Sequence, residues 1–351
     1  MNAPITNEST AGDGYVLRLK DLAVTYRFGL RQPLPAVAGV TLDIERGQTL
    51  ALIGESGSGK SSIAKAVCGL APIESGTVTI DGHELTGVRN RPAAAGDWGV
   101  TIVFQDPVSA VDPRWPIWKT IAEPLLRRVS SADERRERAL AMMERVGLDR
   151  SFGDRHPHQL SGGQRQRATI ARALAPGPKL VILDEAVSAL DVSVRNEVLV
   201  LLEDLKRQEG LTYLFISHDM GAVAQIATDV AVMYLGKVVE TGRAERVIKE
   251  PAHPYTEALL AAVPTITAAP IDAAGGLRGE IGDSGRPPPG CRFNPRCPMA
   301  VDRCSAEEPQ LRVVRERLTA CHRAEEMTPA VTASRNGSRS GDRIGSPQVS
   351  E

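Results

Sequence analysis

Read for periodicity, the chain alternates short apolar strands with amphipathic helices. Val16-Leu17-Arg18-Leu19-Lys20 and Val40-Thr41-Leu42-Asp43-Ile44 alternate apolar and polar residues, the period of a half-buried strand. Gln48 to Ile53 is a compact apolar run, as expected of a strand buried on both faces. Thr77 to Ile80 followed by Asp81-Gly82 reads as a strand and a turn. Thr101 to Phe104, Leu180 to Leu183, Thr212 to Ile216 and Val230 to Tyr234 are further short strands. Between them, Ser62 to Leu70 sets Ile63, Ala66, Val67 and Leu70 on one helical face, and Val194 to Arg207 reads as another helix. This alternation predicts an α/β protein whose parallel sheet is covered on both faces.

Residues 106–159 break the strand rhythm, and a helical insertion is expected over about 106–165. Ser131-Ala132-Asp133-Glu134 is a capping box opening a helix with Leu140, Met143 and Val146 on one face, stopped by Gly147. The main domain is expected over residues 14–250. After Lys249 the texture changes, and 251–325 reads as a small appended region starting at His253-Pro254-Tyr255. Gly275 to Gly290 is rich in glycine and proline and reads as a loop. Residues 1–13 and the Ser/Gly/Arg-rich end at 326–351 are expected to be disordered.

Composition narrows the class. The 351 residues are 42% hydrophobic, which suits a soluble protein with a substantial core, and the formal net charge is -1. That charge gives no whole-molecule field for nucleic acid, and no nucleic-acid partner is expected. Val198-Leu199-Val200-Leu201-Leu202 is among the longest apolar stretches, far short of the roughly 20 residues of a bilayer span. Met1 to Gly14 is polar and lacks the apolar segment of a signal peptide. A cytosolic protein is expected, with any membrane role supplied through a partner. Of the five cysteines, Cys68 falls in a helical pattern as a small core residue and four cluster late in the chain. In a reducing cytosol disulfides are the weaker reading of those four.

The chemistry lies in five ordered motifs. Gly54-Glu55-Ser56-Gly57-Ser58-Gly59-Lys60-Ser61-Ser62, after an apolar strand and before a helix, is a phosphate loop. Its glycines let the backbone aim N–H groups at phosphate oxygens, Lys60 reaches the β- and γ-phosphates, and the Ser61 hydroxyl serves Mg²⁺. Val181 to Glu185 is an apolar strand ending in two carboxylates, with Asp184 placed for Mg²⁺ and Glu185 for the attacking water. Gln105, at a strand end, is placed to reach the metal or that water. Ser161-Gly162-Gly163-Gln164 precedes a basic helix and forms a second anion site of hydroxyl and N–H groups. His218 follows a third apolar strand. One nucleotide cannot easily use both glycine-rich sites of one chain, so two chains sharing two nucleotides are expected.

This set resembles the ATP-binding subunit of an ABC transporter, over roughly residues 15–325. The resemblance implies an ABC-type nucleotide-binding domain on a phosphate-loop NTPase fold, with a RecA-like core, an antiparallel β subdomain and a helical subdomain. It implies that Tyr26 stacks under the adenine and that His218 contacts the γ-phosphate. Ser161 to Gln164 would close over the nucleotide of the opposite subunit, and Asp191 would cross the interface to link the two sites. Asp106 to Trp118 would face the membrane subunit, where Trp115, Ile117 and Trp118 fit burial against a partner, packing within the helical insertion being the other reading of the same residues. Ala186 stands where proline often follows the catalytic glutamate, and little effect is expected.

The appended region narrows the resemblance. His253-Pro254-Tyr255 and Ala258 to Pro264, with Asp191-Val192-Ser193-Val194, resemble the dipeptide, oligopeptide and nickel importer ATPases. Implied partners are two transmembrane permease subunits, a second ATPase subunit (a copy or a paralogue) and, indirectly, an extracytoplasmic solute-binding protein. The implied location is peripheral, on the cytoplasmic face of the inner membrane. Cys291, Cys297, Cys304 and Cys321, spaced C-x5-C-x6-C-x16-C, suit either Zn²⁺ or a [4Fe-4S] cluster, unliganded thiols remaining a third reading. Some members of the family carry this set as [4Fe-4S] ligands. His322 is a substitute ligand in reserve, and a structural role is the expected one.

Overall fold

The computed structural model describes residues 14–27, 32–85, 98–106, 111–262, 282–283 and 285–327. The expected lead-in, the tail beyond Met327 and half of the Gly275–Gly290 loop lie outside these residues. Strands β1 (Tyr15–Tyr26), β2 (Leu34–Glu45), β4 (Ile73–Ile80) and β5 (His83–Glu84) form an antiparallel sheet in the order β2-β1-β4-β5. Strands β3 (Thr49–Ile53), β6 (Val100–Val103), β7 (Leu180–Asp184), β8 (Thr212–Ile216) and β9 (Asp229–Tyr234) form a parallel sheet ordered β6-β7-β8-β3-β9.

The compact apolar runs are explained by burial on both faces of this sheet. Leu50 and Leu52 face one core while Ala51 and Ile53 face the other, and Leu214 with Ile216 and Tyr213 with Phe215 divide likewise. Helix α1 (Lys60–Val67) lies between the two sheets, burying Ile63, Ala64, Ala66 and Val67. Leu70 departs from the expectation and is 52% exposed. The cause is Gly69, at φ 70°, which stops the helix at Val67, three residues before Leu70. The Leu70 N–H returns to the Lys65 carbonyl at 2.7 Å and the Gly69 N–H to Ala66 at 2.9 Å, a left-handed C-terminal cap.

The helical insertion contains α2 (Ile117–Ala122), α3 (Ala132–Arg145) and α4 (Gly162–Leu174). Only half of the predicted capping box forms at Ser131. Its hydroxyl accepts the Glu134 N–H at 3.3 Å, but the Glu134 carboxylate turns to Arg138 at 2.6 Å. Met143 and Val146 are buried as expected, joined by Ala139 and Met142, while Leu140 is only partly buried. Ile117 is 1% exposed in the core and so is unavailable to a partner. Trp115 and Trp118 stay half-buried, with Lys119 Nζ 4.5 Å from the Trp115 ring. Residues 107–110 of this segment lie outside the described residues.

Helix α5 (Val192–Glu209) buries Val198, Leu199 and Leu202 but leaves Val200 on its outer face, and it stops at Gly210, φ 66°. Helix α6 (Met220–Ile226), strand β10 (Lys237–Arg243) and helix α7 (Ala244–Lys249) complete the main domain. Beyond them lie α8 (Pro254–Ala261), α9 (Asp302–Ala306) and the hairpin β11 (Arg312–Val314) and β12 (Arg317–Thr319). The hairpin pairs antiparallel with β10, Glu240 opposite Thr319, and β10 pairs antiparallel with β9. The appended region thus extends the nucleotide domain's own sheet. Among the described residues no helix is long and apolar enough to cross a membrane.

Candidate nucleotide site

The phosphate loop leaves β3 and enters α1 through two glycines that no other residue would replace. At Gly54, φ 146°, an added Cβ would lie 2.2 Å from the Met233 carbonyl oxygen. At Gly59, φ 104°, it would lie 2.3 Å from the Ala36 carbonyl oxygen. The loop folds around its own lysine. Lys60 Nζ donates to the Gly54 oxygen at 2.7 Å, the Glu55 oxygen at 2.9 Å and Ser58 Oγ at 3.2 Å. Burial lowers the Lys60 pKa, and the carboxylates of Glu185, Asp184 and Glu55 oppose that shift.

The end of β7 brings two carboxylates to the loop. Ser61 Oγ donates to Asp184 Oδ1 at 3.0 Å. This hydroxyl–carboxylate pair is the oxygen-donor chemistry that Mg²⁺ takes, so the residues fit the ion. Burial raises the Asp184 pKa, against the Ser61 hydrogen bond. Glu185 takes φ 50°, a left-handed value rare outside glycine, with its N–H on the Ile216 carbonyl at 2.9 Å. That turn faces its carboxylate to the other predicted groups. Gln105 Nε2 donates to Glu185 Oε2 at 2.9 Å, and His218 Nδ1 lies 3.6 Å from the same oxygen. Lys60, Ser61, Ser62 and Glu185 line one cleft of about 470 Å³ with Ser56 and Tyr26.

The second glycine-rich motif lies apart from this cleft. Ser161 Oγ accepts the Gln164 N–H at 3.3 Å and Gln164 Oε1 accepts the Ser161 N–H at 3.0 Å, a complete capping box at the start of α4. At Gly163 a Cβ would meet Val194 Cγ1 at 2.5 Å, whereas at Gly162 it would meet nothing within 4 Å. Asp191 caps α5, accepting from the Val194 N–H at 3.0 Å and Ser193 Oγ at 2.9 Å. These hydrogen bonds, led by Val194, hold its carboxyl below the usual range.

Periodicity does not reveal the next group of residues. Glu55, expected at the nucleotide, gives its carboxylate to Arg296 and its N–H to Tyr255 Oη at 2.8 Å. Arg296 comes from the cysteine-bearing segment, which no strand or helix signal ties to the loop. The four late cysteines do converge. Cys291, Cys297, Cys304 and Cys321 line one small cavity with His253 and His322. Burial pushes the Cys291 and Cys321 thiols up to about 11 and raises Cys297. Among the described residues no group of three or more His, Cys, Asp or Glu is placed to hold a metal ion. Cys68 is buried as expected, its thiol pushed up to about 12 by desolvation.

The phosphate loop after β3, the acidic end of β7 and the antiparallel sheet beside them define an ATP-binding cassette, an ABC-type ATPase. The ABC transporter family matches residues 37–188, and the oligopeptide/dipeptide transporter C-terminal region matches 239–304. The chain is 42% identical over 317 residues to the di/tripeptide transport ATP-binding protein DppF of Pseudomonas aeruginosa, covering 89% of this chain and 98% of that protein. It is 42% identical over 325 residues to the oligopeptide transport ATP-binding protein OppF of Escherichia coli, covering 87% and 95%. An ATP-binding cassette solved as a dimer after hydrolysis, with ADP and Pi bound, superposes at a TM-score of 0.58 and 28% identity, covering 65% of this chain and 98% of that one. The chain belongs to the family of ABC transporter ATP-binding proteins of the dipeptide and oligopeptide type.

Proposed function

We propose that this chain hydrolyses Mg-ATP to drive import of di- or oligopeptides through two membrane permease subunits. It would act as one half of an ATP-sandwich dimer, with a copy or a paralogue as the other half. One observation carries this reading. Glu185, Gln105 and His218 meet at the Lys60 cleft, while the capped motif Ser161–Gln164 lines none of it. A second anion site without a nucleotide of its own suits a nucleotide held by another chain. The fit of the fold to a cassette solved as a dimer supports the same view.

In this mechanism the N–H groups of Ser56 to Ser62 hold the phosphates, with Lys60 on the β- and γ-phosphates. Ser61 and Asp184 hold Mg²⁺, and Tyr26 stacks on the base. Glu185 takes a proton from the attacking water, kept in place by Gln105 and His218. Ser161 to Gln164 of the opposite subunit meet the γ-phosphate, and Asp191 links the sites. Once that phosphate is cleaved, contacts on both sides are lost and the dimer opens. Trp115 and Trp118 offer half-buried apolar surface to a permease on the cytoplasmic face of the membrane.

Cys291, Cys297, Cys304 and Cys321 would hold a [4Fe-4S] cluster; what favours this is the cysteine spacing and the shared cavity, while the four thiols as placed do not form a metal ligand set and would have to close around the iron. The cluster would supply a structural cross-link to the appended segment. For the ATPase reading, Glu185→Gln is the test. The variant is expected to bind Mg-ATP, lose turnover and elute as a dimer in size-exclusion chromatography, with its natural mate where the two differ. Near-normal turnover would refute the role of Glu185.

A further inference from the structure

The contact between the appended segment and the phosphate loop spans 241 positions of sequence and is largely closed to water. Arg296 is 7% exposed. Its Nη1 donates to Glu55 Oε2 at 2.7 Å and its Nη2 to Glu55 Oε1 at 3.0 Å, a two-pronged pairing, and Nη1 also reaches Tyr234 Oη at 3.3 Å. Tyr255 accepts the Glu55 N–H at 2.8 Å. The rings behind these groups form one aromatic block. Tyr234 and Tyr255 centroids are 4.7 Å apart, and Phe293 stands edge-on to Tyr234 at 5.3 Å. Tyr255 and Phe293 are fully buried. On its other side, Glu55 gives its carbonyl oxygen to Lys60 Nζ at 2.9 Å. Any movement of Glu55 therefore moves an acceptor that sets the phosphate-binding lysine.

We propose that the appended segment braces the phosphate loop: Arg296, supported by Tyr255 and Tyr234, fixes Glu55 and thereby holds Gly54 to Ser58 in the shape that receives a nucleoside triphosphate. This rests on the ATPase reading above and adds a positioning role to Arg296. Two physical effects act together. A planar guanidinium gripping both carboxylate oxygens fixes orientation as well as distance, which a lysine ammonium does not. The pair also neutralises a carboxylate that would otherwise stand in the same loop as the incoming phosphates and repel them. Arg296 itself touches neither nucleotide nor water in this scheme.

The test uses the full chain and Mg-ATP as the probe. Calorimetric Kd and steady-state KM and kcat are measured for the natural chain, Arg296→Ala, Arg296→Lys, Tyr255→Phe and the double variant Arg296→Ala with Glu55→Gln. Losing a charged, buried hydrogen-bonded pair is expected to raise Kd and KM of Arg296→Ala by about 10- to 100-fold. At saturating ATP its kcat should stay near that of the natural chain. Arg296→Lys should recover part of the loss. Tyr255→Phe, which leaves the cysteine segment untouched, should weaken binding in the same direction by less. The double variant should bind better than Arg296→Ala, because the unpaired carboxylate is gone. Unchanged Kd in both Arg296→Ala and Tyr255→Phe overturns the brace, as does a fall confined to kcat. Should Arg296→Ala fail to fold, Tyr255→Phe and Arg296→Lys decide the matter by the same Kd comparison. If the natural chain binds no Mg-ATP, the ATPase reading itself fails, a separate result from equal affinities across the series.

Discussion

The hairpin β11–β12 is joined to the nucleotide domain through a buried ion pair, and breaking it gives a prediction with a sign. Arg317 Nη1 lies 3.7 Å from Glu240 Oε1, and both side chains are fully buried. Glu240 also accepts the Ala252 N–H at 2.8 Å and the His253 N–H at 3.1 Å. Burial raises the Glu240 pKa above its ordinary value, and Arg317 is among the groups that oppose the rise. Arg317→Met keeps most of the side-chain volume and removes the opposing charge. Leaving one partner of a buried pair costs about 3–5 kcal/mol. The sign of the pH dependence follows from the carboxyl. A raised folded-state pKa means the folded chain binds the proton more readily than the unfolded one, so stability is lost as pH rises through that value. Without Arg317 the pKa climbs further, so the cost of the substitution grows as pH rises above the ordinary carboxylate range and shrinks toward that range, by up to about 1.4 kcal/mol per unit. Urea unfolding at several pH values, on the natural chain, Arg317→Met and Arg317→Met with Glu240→Gln, measures this. A cost independent of pH, or a double variant no more stable than Arg317→Met at pH 8, would refute the reasoning.

Other outcomes follow from single contacts. Gly54→Ala puts a Cβ 2.2 Å from the Met233 carbonyl oxygen, so Mg-ATP binding by calorimetry should be lost; natural affinity would show that the loop tolerates another shape. Phe293→Ala removes a fully buried ring from the aromatic block and should lower unfolding stability by about 3–5 kcal/mol in urea titration, with a much smaller loss counting against a close-packed junction. Purified without oxygen, the chain should be brown with broad visible absorbance, and replacing Cys304 with serine should bleach it. A colourless, zinc-loaded protein would count against the cluster.

Local patterns carried much of this protein. Apolar runs placed the parallel strands because a strand buried on both faces has no polar position, as Leu50 to Ile53 and Tyr213 to Ile216 show. The phosphate loop, the carboxylates at the end of β7 and the capped Ser161–Gln164 motif were legible because each is a run of adjacent residues whose types and order are read locally. Leu70 was misplaced because the helical period says nothing of where a left-handed glycine ends the helix. Of the two readings open for Ile117, the structure takes packing within the insertion, because apolarity alone cannot separate a core position from a docking one. The short strands β11 and β12 carry no periodic signal, and their place in the sheet is fixed only by pairing with β10. Above all, the grip of Arg296 on Glu55 joins groups far apart in sequence. A charge pairs with whatever the fold brings within reach, and only the packing of Tyr234, Tyr255 and Phe293 brings those two together.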